Sequence, residues 1–131
     1  MLDCLILGDS IAVGTHHFRK ECAMVAKGGI NSWQFNKDYN GEFFSDTVII
    51  SLGSNDHSGV KTKKELEQLR GRVTAKSRVV WILPAIKPAV QEIVREIANK
   101  NGDVILPITQ LQPDGVHPSW AGYKEIAEKT R

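Results

Sequence analysis

Short apolar runs and helix-period stretches alternate along this chain. Residues 2–7 form an apolar run that stops at Gly8. Residues 22–26, 47–52, 78–83 and 103–106 repeat the form, the first three closing at Gly28-Gly29, at Gly53 and at Pro84. Runs this short, rich in Val and Ile and bounded by Gly or Pro, predict strands. Helical patterns fill the gaps at residues 11–19, 32–39, 63–72 and 119–131. Between the fourth and fifth strands Pro88 opens a helix with Val90, Ile93, Val94 and Ile97 on one side, and Asn101-Gly102 closes it. The last helix turns Tyr123, Ile126 and Ala127 inward.

Near-continuous apolar strands separated by helices argue a parallel sheet covered on both faces. The expected fold class is α/β: a three-layer α/β/α sandwich around a five-stranded parallel sheet, in flavodoxin-like order, as a single domain over residues 1–131. Ligands of such sheets bind beyond the carboxyl ends of the strands. The chemistry-bearing residues should therefore gather at that edge.

Four clusters do follow strand ends or fill loops there: Gly8-Asp9-Ser10, Gly28-Gly29-Ile30-Asn31-Ser32, Gly53-Ser54-Asn55-Asp56 and Asp114-Gly115-Val116-His117-Pro118. Ser10 stands at a strand-to-helix turn, where its hydroxyl can face solvent and its N–H lies near a positive helix end. Alone, it or Asp9 could be a simple helix cap. His117 can act as a base if a carboxylate holds Nδ1–H and leaves Nε2 free, and Asp114 is the nearest candidate in sequence. Asp56 is the reserve partner. Asn55 offers a neutral amide donor to an oxyanion, and the loop at residues 28–32 offers a backbone N–H, which any non-proline residue could supply. A hydroxyl nucleophile, oxyanion donors and an Asp-His pair are the parts of acyl transfer.

Bulk properties narrow the alternatives. The chain has 131 residues, 41% hydrophobic and 24% charged, with a net charge of +2. That charge, without a Lys/Arg block, argues against nucleic acid. No apolar run approaches the ~20 residues of a membrane span. The N-terminus lacks a basic region and a small-residue cleavage site, so the expected location is cytoplasmic, or outside by a route that this chain does not encode. Cys4 and Cys22 fall in strand-like runs and are expected as buried free thiols, with a bridge between neighbouring strands as the lesser option. No zinc-ligand spacing appears, His16-His17 read as helix-surface residues, and no metal or cofactor is expected. A phospho-receiver would want paired acids after the first strand and an aspartate ending the third. A phosphate-binding loop would need Gly-Lys-Ser/Thr after Gly8. Neither is present.

The blocks Gly8-Asp9-Ser10, Gly53-Ser54-Asn55-Asp56 and Asp114-Gly115-Val116-His117-Pro118 resemble those of the SGNH hydrolases, the GDSL esterase/lipase family, over nearly the whole chain. The resemblance implies a flavodoxin-like fold and metal-independent hydrolysis of esters, thioesters or O-acetylated sugars. Ser10 would be the nucleophile, Asn55 an oxyanion donor, His117 the base and Asp114 its orienter. The second block departs from the family pattern. Ser32 stands where the family has the donor glycine, which leaves Gly29 and Ser32 as candidates for the backbone N–H.

So short a chain has few residues to spare for a lid or deep acyl pocket. The expected substrate is therefore a small-molecule or glycan ester with a short acyl group, acetyl foremost. A lipase or thioesterase for longer chains is the alternative. It would need an apolar channel, for which Trp33, Phe35, Phe43 and Phe44 are candidates. A non-catalytic binding module of the same fold is a second alternative, against which the intact Ser-Asn-Asp-His set argues. His57 could border the site, and Trp120 could offer a platform to a sugar, although surface loop and helix packing are the simpler readings.

Overall fold

A computed structural model describes residues 3–131. In chain order the elements are β1 (Cys4–Gly8), α1 (Ser10–His17), β2 (Ala23–Ala26), α2 (Ser32–Asp38) and β3 (Phe43–Ser51). They continue with α3 (Thr62–Gly71), β4 (Val73–Leu83), α4 (Pro88–Asn101), β5 (Val104–Pro107) and α5 (Trp120–Lys129). The strands form one parallel sheet in the order β2-β1-β3-β4-β5. The fold is the expected three-layer α/β sandwich.

Strand alternation divides the core in two. Leu5, Leu7, Val48, Ile50, Val79 and Trp81 face one side, where Phe35 of α2, Leu66 and Leu69 of α3, and Val94 and Ile97 of α4 cover them. Ile6, Ile49, Val80 and Ile82 face the other, under Ile11 and Ala12 of α1 and Ile126 of α5. Successive side chains leave opposite faces of a strand, so a run apolar at every position must be covered on both sides. α4 carries the expected stripe, with Pro88 in its first turn and Gly102 closing it at φ 70°.

β3 and β4 start earlier than the apolar runs at residues 47–52 and 78–83 indicate. Phe43, Phe44 and Ser45 pair with Val73, Thr74 and Ala75 in a half-exposed extension of the sheet. In β3 the exposed residue of that extension is Phe44 and the buried one is Ser45, and in β4 Thr74 and Lys76 interrupt the apolar positions, so neither segment reads as a continuous apolar run. Leu2, assigned to the first strand from sequence, lies outside the described residues.

The cysteines require a correction. Cys4 and Cys22 are joined in a disulfide, with Cα atoms 4.8 Å apart. Cys4 opens β1, and Cys22 directly precedes β2, its neighbour in the sheet. Pairing sets these positions side by side, a proximity invisible in two separate apolar runs. His16 and His17 end α1, and His16 Nε2 lies 3.0 Å from the Cys22 carbonyl oxygen. No helix among the described residues is long and apolar enough to cross a membrane.

Candidate active site

The site begins where β1 ends. Gly8 has φ 142°, and a Cβ there would fall on the Ser51 carbonyl, so only glycine lets β1 and β3 end this close together. The Asp9 N–H donates to that carbonyl at 3.0 Å. Asp9 caps α1: its Oδ1 accepts from the Ile11 N–H at 3.0 Å and the Ser51 hydroxyl at 3.1 Å. Ser10 is the first residue of α1, so its N–H has no helical acceptor and lies at the positive end of the helix.

His117 comes from the loop between β5 and α5. A bridge between Leu111 and Pro118 and a bond from the Gln112 N–H to the His117 carbonyl (2.8 Å) close that loop on itself. At its tip, Asp114 Oδ1 accepts from the Val116 and His117 N–H groups at 2.9 and 3.0 Å. Asp114 Oδ2 lies 2.8 Å from His117 Nδ1, and His117 Nε2 lies 2.8 Å from the Ser10 hydroxyl. The carboxylate assigns the proton to Nδ1, which makes Nε2 an acceptor aimed at Ser10. The Val116 N–H, then the His117 imidazole and N–H, hold the Asp114 carboxyl down at about 2. The relay stands open to solvent, with His117 and Asp114 side chains 36% and 44% exposed, so water reaches it freely.

Asn55 projects from the loop after β3. Gly53 turns that loop at φ 112°, and a Cβ there would stand 2.6 Å from Val90 Cγ1 of α4. Asn55 Nδ2 donates to the Ile30 carbonyl at 3.0 Å. The same amide carries a second N–H that this bond does not use. Asp56 is not a partner of His117. Its Oδ1 accepts from the Ser32 N–H and its Oδ2 from the Thr62 hydroxyl, both at 2.8 Å, which ties the starts of α2 and α3 together.

That geometry bears on the loop at residues 28–32. The Ser32 N–H is given to Asp56, so this amide is not open to an oxyanion. Gly29 has φ 77°, and a Cβ on it would meet nothing within 4 Å. Of the two loop glycines, Gly28 is the one that lies against Ser10: a Cβ on it would be 3.9 Å from Ser10 Cβ. Among the described residues, neither the Gly28 nor the Gly29 N–H has an acceptor. The sequence could not separate these positions, because any peptide N–H qualifies until the loop path is known. A cavity of about 170 Å³ is lined by Gly28, Gly29 and Ile30 of this loop together with Lys27, Gln34 and Asp38.

Of the four aromatic candidates for a channel, Phe35 and Phe43 meet with ring centroids 6.3 Å apart, while Trp33 and Phe44 stand apart from them. Phe35 is fully buried in the core, Phe43 packs on that core from its edge, and Trp33 and Phe44 are exposed. His57 is exposed and lines a separate cavity with Trp33, while its Nδ1 accepts from the Gly59 N–H. Trp120 is exposed and meets the Phe18 ring edge-on at 5.2 Å. Sequence reasoning assigned Asp9 only a capping role. Its side chain is wholly buried, its Oδ2 lacks a partner, and burial raises its carboxyl to about 6 despite the bonds to Oδ1. Burial, with the charges of Asp9 and Asp114, also pushes the Tyr123 hydroxyl up to about 12.

No protein-family model and no curated protein matches the sequence. Among solved structures, the C-terminal catalytic domain of Streptococcus pneumoniae peptidoglycan O-acetyltransferase A, determined with a methylsulfonyl adduct, is similar in fold. The TM-score is 0.66, over 96% of this chain and 88% of that one, at 18% identity.

Proposed function

We propose that the chain is a serine-dependent ester hydrolase that removes short acyl groups, acetyl foremost, from a carbohydrate or small-molecule ester. The observation that carries this reading is the hydrogen-bonded line from Asp114 through His117 to the Ser10 hydroxyl. In the first step Ser10 Oγ bonds to the ester carbonyl carbon while its proton passes to His117 Nε2. The oxyanion forms beside the Asn55 amide, the Ser10 N–H and the loop N–H of Gly28 or Gly29. Collapse breaks the bond to the alkoxy oxygen, which leaves with the proton from His117. Water then attacks the acyl-serine, gives its proton to His117, and releases the acid and free Ser10.

One further observation supports a small acyl group: Phe35 is committed to the core rather than to an acyl channel. The similar solved domain is described as a peptidoglycan O-acetyltransferase, which favours a second reading in which a glycan hydroxyl replaces water in the deacylation step. The Cys4–Cys22 disulfide supports work in an oxidising compartment.

A serine-directed fluorophosphonate should add a single adduct at Ser10, absent in Ser10→Ala. Aryl acetate should be cleaved faster than aryl octanoate. Adduction at another serine would reject the nucleophile, and a rise in kcat/KM through the octanoyl ester would favour the long-chain alternative. Acetate released from an acetylated sugar, set against acetyl passed to an added saccharide, separates hydrolysis from transfer.

A further inference from the structure

Lys87 has the one positive φ found at a non-glycine position among the described residues, 63° with ψ 80°. It follows β4 and directly precedes Pro88, the first residue of α4. A left-handed backbone is costly for a side chain with a Cβ, and it persists where the surroundings hold it. Its side chain gives no cap bond to α4. Instead the ammonium reaches across to the loop after β3. Nζ donates to the Ser54 carbonyl at 2.8 Å and to the Asp56 carbonyl at 2.6 Å.

Those two carbonyls stand on either side of Asn55. A cation bonded to both grips the peptide unit that joins Ser54 to Asn55 and the one that joins Asp56 to His57, and charge-assisted bonds in a partly buried place are stronger than neutral ones. Three other ties act on the loop. Asn55 Nδ2 holds the Ile30 carbonyl, the Asp56 carboxylate holds Ser32 and Thr62, and Gly53 abuts Val90. Of the side chains from outside the loop, Lys87 bonds the backbone on both sides of Asn55.

We infer that Lys87 is a positioning residue for Asn55: its ammonium clamps the Ser54 and Asp56 carbonyls and so holds the second Asn55 N–H where an oxyanion develops. The clamp itself is a statement about geometry, while its effect on rate rests on the esterase reading proposed above. A donor displaced from the oxyanion loses transition-state stabilisation while ground-state binding changes little.

The test uses the full chain and two variants without the amine. Lys87→Asn keeps a residue that tolerates the left-handed backbone, and Lys87→Gly relieves it altogether. The first readout needs no catalysis. In protein labelled with ¹⁵N asparagine, both variants should shift and broaden the Asn55 side-chain amide signal, with the other asparagines away from the loop unchanged. The second readout is a kinetic cycle. Each variant should lower kcat about tenfold with KM within about twofold, yet cost less than about twofold more in an Asn55→Ala background, because a positioning residue has nothing left to position.

An unmoved Asn55 signal overturns the clamp whatever the enzyme does. A full tenfold loss in the Asn55→Ala background overturns action through Asn55. If the signal moves while the unaltered protein cleaves no ester, the clamp stands and the esterase reading falls. If one variant does not fold, the other carries both readouts, and loss of folding in both would assign Lys87 to stability and overturn the positioning role.

Discussion

Asp114 grips His117 twice: Oδ2 meets the ring at Nδ1, 2.8 Å away, and Oδ1 takes the same residue's backbone N–H at 3.0 Å. One carboxylate thus sets both the tautomer and the place of the ring. Asp114→Asn presents either a donor to a nitrogen that must itself donate, or an uncharged acceptor. We expect kcat to fall roughly 10²–10⁴-fold with KM little changed, by steady-state kinetics on an aryl acetate. A near-unaltered rate would remove Asp114 from the relay. The parallel Asp56→Asn variant should keep the His117 arrangement intact, since Asp56 serves Ser32 and Thr62.

The same carboxylate sets a pH dependence. Its folded value, about 2, lies below the ordinary 3.8, with the Val116 N–H as the largest cause. A depressed folded value contributes stability that is complete above the unfolded value and lost as pH falls through the folded one. The protection factors of the Val116 and His117 amides, with the intrinsic pH dependence of exchange divided out, should therefore be constant across the neutral range and fall between about pH 4 and pH 2. A protection factor at Val116 that falls already well above pH 4 would contradict this.

Asn55→Ala removes a neutral donor and one bond to the Ile30 carbonyl. The oxyanion part should cost roughly 10²–10³ in kcat with a smaller change in KM. The lost bond should cost only about 1 kcal/mol of stability. Kinetics together with a denaturant titration separate the two. An unchanged kcat would exclude Asn55 from the oxyanion site.

Asp9 should have the opposite pH signature to Asp114. Burial raises its carboxyl to about 6, so between the ordinary 3.8 and that value the folded state binds more protons than the unfolded state. Stability contributed by the protonated form is therefore present at low pH and lost as pH rises through about 6. Relative to Asp9→Asn, which keeps an acceptor for Ile11 and Ser51, the unaltered protein should lose Tm between about pH 3.5 and pH 6.5. The shift corresponds to an upper bound of about 3 kcal/mol. Parallel Tm profiles for the two proteins would show that Asp9 is charged throughout.

The disulfide joins the entry ends of β1 and β2, whereas Ser10 follows the exit end of β1. Replacing both Cys4 and Cys22 by Ser should cost about 3 kcal/mol through loop-closure entropy, since 18 residues of sequence separate them. A Tm lower by about 10 °C is expected in calorimetry. Activity at 25 °C should be nearly intact, because the residues around Ser10 are held by Gly8, Asp9 and Ser51. A large loss of kcat in the folded variant would tie the bridge to the site.

Periodicity and residue type already determine the layers of this protein. Leu5, Ile6 and Leu7 are apolar in succession because both sheet faces are covered, and Val90, Val94 and Ile97 recur at helical spacing because one side of α4 is covered. The hydrogen-bonded arrangement of Asp114, His117 and Ser10 is legible for a related reason: Asp114 and His117 share a tight turn, and Ser10 follows a strand whose exit edge is where such sheets place ligands. What sequence could not decide depends on distances between segments far apart in the chain. Cys4 meets Cys22 because β2 pairs with β1. The Ser32 N–H is taken by Asp56 from another loop, Gly28 rather than Gly29 lies against Ser10, and Lys87 reaches the carbonyls around Asn55 from beyond β4. Each of these turns on which N–H, carbonyl or thiol points where. A backbone amide is chemically the same at every residue, so only the folded path distinguishes one from the next.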